Sequence, residues 1–272
     1  MIPPSLRVAP DPAAARLTRA VTGRDQTGQP VDLRVVEERP LTIYLNAREI
    51  VTAMTIGDYP EWLALGFLVN QGMVRADDTV TGIDYDEEVA AVVVRTAEIT
   101  DHEAKLARAT RTSGCAVGTV FGDMMEGLDG LRLPATPLRV SDLRALSAAI
   151  NRTPSLYLAV GAIHGTCLCA GPDPIAYFED VGRHNAVDKL AGWMRAKGVG
   201  GADKTLYTTG RLTSEMVIKC ATMGIPSLVS RSGFTAWGVD IARQVGLTVI
   251  GRMKGTRFVC LSGEERVIWD AE

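Results

Sequence analysis

From about Ser155 onward the sequence repeats one unit: a short apolar run, a junction of Gly, Arg and hydroxyl residues, then a helical period. Ile175-Ala176-Tyr177-Phe178 leads into a stretch in which Val187, Leu190 and Met194 share a face. Leu206-Tyr207 leads into one carrying Met216, Cys220 and Met223, and Ser227-Leu228-Val229 into a third with Trp237, Ile241 and Val245, which stops at Gly246. Leu247 to Ile250 and Phe258 to Leu261 read as closing strands. Units repeating every roughly 20–30 residues predict an α/β layer whose sheet is at least partly parallel. In such sheets the ligand usually sits at the carboxyl ends of the strands.

The preceding chain divides differently. Residues 1–30 are rich in Pro, Ala, Arg, Gly and Thr without a sustained apolar period, and read as a flexible arm. Residues 31–135 read as a small α+β domain. Leu33, Val35, Leu41, Ile43 and Leu45 predict two strands around Glu37-Glu38-Arg39-Pro40, Trp62 to Leu68 a helix ending at Gly72, and Val89 to Val94 a further strand. That domain ends in Ser113-Gly114-Cys115-Ala116-Val117-Gly118-Thr119, a run of mostly small residues that reads as a mobile loop around Cys115. Pro134-Ala135-Thr136-Pro137 punctuates, and residues 136–272 form the α/β domain, opening with a helix capped by Ser141 and Asp142 and lined by Leu143, Leu146 and Ile150.

Twenty-nine Lys and Arg against 32 Asp and Glu leave a net charge of −3 over 272 residues. That balance argues against a counterion-releasing grip on nucleic acid and for a small-molecule or protein partner. No run reaches the roughly 18–20 apolar residues of a membrane span, and Met1-Ile2-Pro3-Pro4 lacks the order of a signal peptide, so a cytoplasmic setting is expected. Five cysteines are too few and too scattered for a disulfide framework and read as reduced thiols.

Three junctions fall where the strand-end rule puts a ligand: Glu179 to Asn185, Thr208 to Ser214, and Ser230 to Phe234. Each holds Gly, Arg and a hydrogen-bonding side chain, a set that suits phosphate or another anion at helix N-termini. Gly210, Arg211, Ser214 and Ser232 are the pocket candidates on this ground. Gly251 to Arg257 packs three cations and two glycines into a turn between strands, either a solvated hairpin or a clamp on phosphate or nucleotide. Cys115 is either a thiol nucleophile, with Arg108 and Arg111 near in sequence, or a small residue in a turn. Cys167 and Cys169 lack the second pair of a zinc site and read, like Cys220 and Cys260, as packing thiols; no structural metal is expected. His184 is a ligand-facing donor or part of a helix cap, His164 is equally open, and His102 sits in a charged, solvent-facing loop. Neither a G-x-S-x-G elbow nor a P-loop is present.

Phe178-Glu179-Asp180-Val181-Gly182-Arg183-His184-Asn185-Ala186-Val187-Asp188-Lys189 resembles the EDVGRHNAxDK signature of the formate dehydrogenase accessory sulfurtransferase family, FdhD. Pro40 to Asn46, Ala64 to Leu68, Gly161 to His164, Gly210 to Lys219 and Gly224 to Ser232 resemble further family segments in order. The resemblance implies a cytidine-deaminase-like α/β domain beside a smaller α+β domain, and a homodimer. It implies a carrier that takes sulfur from a cysteine desulfurase as a persulfide on a loop cysteine, matched here by Cys115. It further implies delivery of that sulfur to the molybdenum or tungsten of a bis-molybdopterin guanine dinucleotide cofactor used by formate dehydrogenase. Arg252, Met253, Lys254, Gly255, Thr256 and Arg257 match the family's cofactor-binding stretch. Three departures stand out: Gly118 replaces a second loop cysteine, Arg252 a common Phe, and Asn70-Gln71-Gly72 a usual Glu-Gly. Glu179, Asp180 and Arg183 read as an ion-pair network in preference to pocket lining. The rival readings are a cofactor carrier that moves no sulfur, favoured by Gly118, and a deaminase-like metal hydrolase, whose H-x-E and P-C-x-x-C pattern is absent.

Overall fold

The computed structural model describes residues 2–97, 110–112, 115–119, 125 and 127–271, of which 110–112 and 115–119 by their backbone alone. His102 and Arg108, and the side-chain surroundings of Cys115 and Arg111, lie outside the described residues. Where a loose arm is expected, β1 (Thr18–Arg24) pairs antiparallel with β2 (Pro30–Val36) over seven residues. The polar side of this hairpin supplies its own bonds, Thr22 donating to Asp32 and Arg34 to Thr18, which residue counting along one strand does not reveal.

Next, β3 (Arg39–Leu45), β4 (Arg48–Thr55), β5 (Val80–Asp86) and β6 (Ala91–Thr96) form a sheet in the order β4-β3-β6-β5, with β3 and β6 parallel. Helix α1 (Pro60–Asn70) starts with Pro at its first turn, where no N–H is needed. It is apolar almost all round because it is covered twice, by the sheet and by a helix of the larger unit. Cys115 does not sit in a loop: it opens β8 (Cys115–Thr119), which pairs with β7 (Thr110–Thr112) and approaches β4.

In the larger unit β9 (Leu138–Arg139) leads into α2 (Val140–Arg152), whose apolar stripe of Leu143, Leu146 and Ile150 is buried. Its start is not capped from within. Asp270, 129 residues away, accepts from the Ser141 N–H at 3.0 Å and from its hydroxyl at 2.8 Å. After the short α3 (Leu156–Ala159) come β10 (His164–Ala170), β11 (Asp173–Asp180), α4 (Arg183–Lys197), β12 (Thr205–Thr208), α5 (Ser214–Thr222), β13 (Ser227–Ser230), α6 (Ala236–Val245), β14 (Thr248–Lys254) and β15 (Arg257–Ser262). The strand order is β11-β10-β12-β13-β14-β15, with β12, β13 and β14 parallel and the outer pairings antiparallel. A last strand, β16 (Val267–Ile268), pairs with β9. The parallel centre is where the sequence places its strand-then-helix units.

The two units meet along α1 and α4. A Cβ on Gly66 would lie 1.8 Å from the Asp188 carbonyl oxygen, and one on Gly192 1.9 Å from that of Trp62. The helix backbones therefore touch, and only glycine fits on either side. Gly66→Ala must push backbone from backbone, and a loss of about 3 kcal/mol or more is expected in urea unfolding. An unchanged midpoint would contradict this account of the contact.

Candidate functional site

Strands β12, β13 and β14 end on one side of the sheet, and a chain of hydrogen bonds stitches their junctions together. The Ser230 hydroxyl donates to the Gly210 carbonyl at 2.6 Å and accepts from the Ser232 N–H at 2.9 Å. The Ser232 carbonyl in turn accepts from the Arg252 N–H at 2.7 Å. A side chain on Gly210 would run into that of Arg183, so this glycine lets the α4 start pack against the second junction. Three of the sequence candidates, Gly210, Ser232 and Arg252, are thus tied together along one edge, and Arg211 follows Gly210 in the second junction. Ser214 takes no part in that chain of bonds and occupies the first turn of α5, after its N-cap Thr213.

The tail segment forms the hairpin between β14 and β15. Its turn is Gly255-Thr256, with Gly255 left-handed at φ +60°. The strand register shifts between Gly251 and Lys254, and Arg252 is itself left-handed at φ +55°. This bulge buries Met253 while Arg252, Lys254, Thr256 and Arg257 remain exposed. Gly251 is needed beneath Phe234, whose ring a Cβ there would meet at 2.5 Å.

Three charged residues of the Phe178–Lys189 run, Asp180, Asp188 and Lys189, serve the joint between units. Lys189, fully buried, donates to Asp58 and lies 2.6 Å from Asp180. Asp180 also accepts from Thr55 at 2.5 Å and from Asn185 at 3.0 Å. Burial raises the Asp58 pKa against the pull of the ammonium, as two carboxylates sharing one cation require. One turn on, Asp188 accepts from Asn70 and from Lys219, both at 2.7 Å. The anchors Thr55, Asp58 and Lys219 were not singled out from sequence, and Asn70 stood out only as part of a departure from the family pattern, without a role. Lys219 carried a signal, since it falls within the buried stretch around Met216 and Cys220.

Above this joint stand two imidazoles. His184 Nε2 lies 3.4 Å from Glu215 Oε2, and burial, with Lys219, Arg183, His164 and Arg211 nearby, takes its pKa down to about 2. Burial, then Arg183 and Arg211, also lowers that of His164, whose Nδ1 is 3.4 Å from the Thr209 hydroxyl. Both rings are therefore neutral at pH 7, and the cationic charge that they sense belongs to Arg183 and Arg211, with Lys219 beside His184. Glu179 is different. Its carboxylate accepts from the N–H groups of Leu156 at 2.7 Å and Tyr157 at 2.8 Å, while burial raises its pKa to about 7. It fixes α3, whose Tyr157 ring carries the Arg231 guanidinium at 5.4 Å.

Among the described residues no group of three or more His, Cys, Asp or Glu is placed to hold a metal ion, and no helix is long and apolar enough to cross a membrane. Cys167, Cys169 and Cys220 are buried and Cys260 is half-buried. Burial raises the pKa of Cys167, Cys220 and Cys260.

Comparison with known proteins agrees with the signature. Residues 36–268 match the model of the FdhD/NarQ family. The chain belongs to that family. It is 32% identical over 246 residues to the sulfur carrier protein FdhD of Chromobacterium violaceum, covering 86% of this chain and 90% of the relative. With the sulfur carrier protein FdhD of Listeria monocytogenes strain F2365 the identity is 29% over 89% of this chain and 94% of the relative. A crystal structure described as that of a formate dehydrogenase accessory protein from Desulfotalea psychrophila superimposes with a TM-score of 0.73 at 27% identity, covering 92% of this chain and 98% of that one. The mixed α/β fold is therefore a family property, and the FdhD resemblance of the signature holds.

Two measurements test this edge. The folded pKa of Glu179 lies above the ordinary 4.5, so the folded state holds the extra proton between pH 4.5 and 7. The stability it contributes is full below pH 4.5 and is lost as pH rises through 7. In Glu179→Gln that fall is removed, a difference of about 3 kcal/mol across the interval, whereas equal pH slopes in both proteins would overturn the assignment. Arg252→Gly relieves a left-handed side-chain position and is expected to unfold no earlier than wild type, while inorganic pyrophosphate binds about tenfold more weakly. Calorimetry that finds binding unchanged would remove Arg252 from the site.

Proposed function

We propose that this chain is a sulfur carrier in the maturation of formate dehydrogenase. A cysteine desulfurase is the donor, and the acceptor is the molybdenum or tungsten of a bis-molybdopterin guanine dinucleotide cofactor, bound here as cargo. The observation that carries the reading is the state of the other thiols: Cys167, Cys169, Cys220 and Cys260 are buried or half-buried in strands and a helix, and Cys115 is the remaining cysteine. A thiolate is the sulfur nucleophile, and burial in apolar surroundings disfavours it. In the loading step the Cys115 thiolate attacks the outer sulfur of the donor's persulfide. The donor's S–S bond breaks, its cysteine leaves as a thiolate, and Cys115 keeps the new persulfide.

The edge described above suits the cargo's phosphate-rich ends. Helix starts, backbone N–H groups and arginines meet there, and Arg252 to Arg257, with Gly210, Arg211, Ser214 and Ser232, are assigned to hold the cofactor. The same reading has the chain act in the cytoplasm as a homodimer, with formate dehydrogenase as its acceptor partner. Gly118 favours a second reading, a carrier that presents the cofactor without moving sulfur, because no i,i+3 thiol can resolve a Cys115 persulfide.

Intact mass separates the two. After incubation with cysteine desulfurase, pyridoxal phosphate and cysteine, wild type is expected to gain about 32 Da, removable by reductant and absent in Cys115→Ala. No gain in wild type that still binds guanosine diphosphate would favour the second reading.

A further inference from the structure

The hairpin of β1 and β2 is held by the body of the protein only at its base. Leu17 and Thr18 are buried, whereas from Arg19 to Arg34 every residue is exposed except the half-buried Val31. Among the described residues no third strand pairs with either of its edges. Two strands alone are marginal in water, and further strands are what make such a ribbon persist.

The ladder shows which groups the outer edge of β2 presents. Glu37 N–H donates to the Leu17 carbonyl, and Asp25 N–H to that of Gln29, at the two ends of the register. The odd-numbered residues of β2 therefore bond to β1, and the N–H and C=O groups of Asp32 and Arg34 point outward. Pro30, which has no N–H, falls at an outward position as well, where an edge strand tolerates it. Side chains sort by the same alternation. Val31, Leu33 and Val35 share one face with Val21, and Leu33 and Val21 are 56% and 40% exposed; Asp32 and Arg34 lie on the other face.

Val31-Asp32-Leu33-Arg34-Val35 reads alike in both directions except that its two charges exchange sign, the pattern that a two-fold axis through Leu33 requires. In an antiparallel pair of two such strands Leu33 faces its own counterpart, Val31 faces Val35, and Asp32 faces Arg34. Because Asp32 and Arg34 both point outward, they exchange backbone hydrogen bonds on each side of the axis. Moving the axis to Asp32 or to Arg34 sets like charges opposite each other, so one register is favoured. Charges on an edge strand ordinarily keep other strands away, but opposite charges in this order admit an antiparallel copy. The edge of β1 carries Arg19 and Arg24 and no carboxylate, and offers no such match. Within the hairpin Arg34 donates to the Thr18 hydroxyl and Asp32 accepts from that of Thr22, neutral partners that leave both charges in place. The pairing rests first on the outward backbone groups and on Leu33; the charges set its register.

We propose that the outer edge of β2 docks a second copy of this chain, joining β2 to β2 antiparallel about Leu33 into one continuous sheet. The inference rests on the homodimer of the preceding reading, to which it gives a surface, and on no step of sulfur transfer.

Sedimentation equilibrium of the full chain is the test. Wild type is expected to dimerise at about 50 μM. Leu33→Lys sets two ammonium groups across the axis, and Asp32→Arg and Arg34→Asp each set like charges opposite each other on both sides of it. Each variant is expected to dimerise about tenfold more weakly or worse, with an unchanged far-ultraviolet circular dichroism spectrum. An equimolar mixture of Asp32→Arg and Arg34→Asp restores opposite charges throughout and is expected to form a mixed dimer in preference to either homodimer. A monomeric wild type overturns the proposal, as do equal dimerisation of wild type and all variants, which places the dimer on another surface, and a mixture that associates no better than its components. A monomeric wild type whose binding to purified formate dehydrogenase is weakened by Leu33→Lys overturns it in favour of that protein as the occupant of the edge. Sulfur loading on Cys115 is read separately by intact mass: a wild type that dimerises through β2 and takes up no sulfur removes the carrier reading alone.

Discussion

The joint between the two units depends on putting charge where charge is expensive. Lys189 between Asp58 and Asp180, and Lys219 against Asp188, lie out of water, and desolvation of that kind is offset only when geometry and extra hydrogen bonds are complete. Here Thr55, Asn185 and Asn70 add hydrogen bonds to the carboxylates that hold the lysines. An apolar interface of the same area would tolerate sliding. A lysine shared between Asp58 of the small unit and Asp180 of the large one tolerates very little, and the backbone contact at Gly66 and Gly192 leaves no slack along the helix axes. The interaction thus acts on register as much as on stability.

That register reaches the edge through one helix. Asp188 and Lys189 fix α4 from within, so its first turn carries Arg183 to Gly210, and the bonds from Gly210 through Ser230 and Ser232 to Arg252 align the other junctions. The run from Phe178 to Lys189 therefore does two jobs with alternate residues. Asp180, Asp188 and Lys189 point into the joint, while Arg183 and His184 stand at the edge.

What was legible in the sequence follows from range. The strand-then-helix units around β12, β13 and β14, the apolar α1 and the packing role of Cys167 and Cys169 are set by neighbours within a few residues, and periodicity exposes them. Contacts across long separations leave no such trace. Asp270 caps α2 from the far end of the chain, Asp58 finds Lys189 and Asn70 finds Asp188 across the joint, and Thr18 to Arg24 becomes a strand because β2 lies alongside it. Of the edge candidates, Gly210 and Ser232 were reached by the strand-end rule, which is itself a statement about topology, and Arg252, singled out for its cationic turn, joins their chain of bonds. Ser214 met the same rule and shares only the edge. The bulge at Arg252 was beyond it, since a register shift belongs to a strand pair and not to a strand.

The electrostatics of the edge follow from how its groups are desolvated. Burial in the company of cations keeps His164 and His184 neutral across the physiological range, so neither ring adds or removes charge there as pH changes. Arginine does not titrate either. An anion held at this edge therefore meets an attraction nearly independent of pH. Glu179 is the exception in the surroundings of the edge, with a pKa of about 7, yet its carboxylate faces the α3 backbone, Asp58 and Lys189 rather than the ligand side. Any pH response would therefore come through the packing of α3 and Tyr157 beneath Arg231, as a change in order rather than a change in charge. Under the proposed reading, a carrier with an anionic cargo gains from that separation: the grip stays constant while the support can soften.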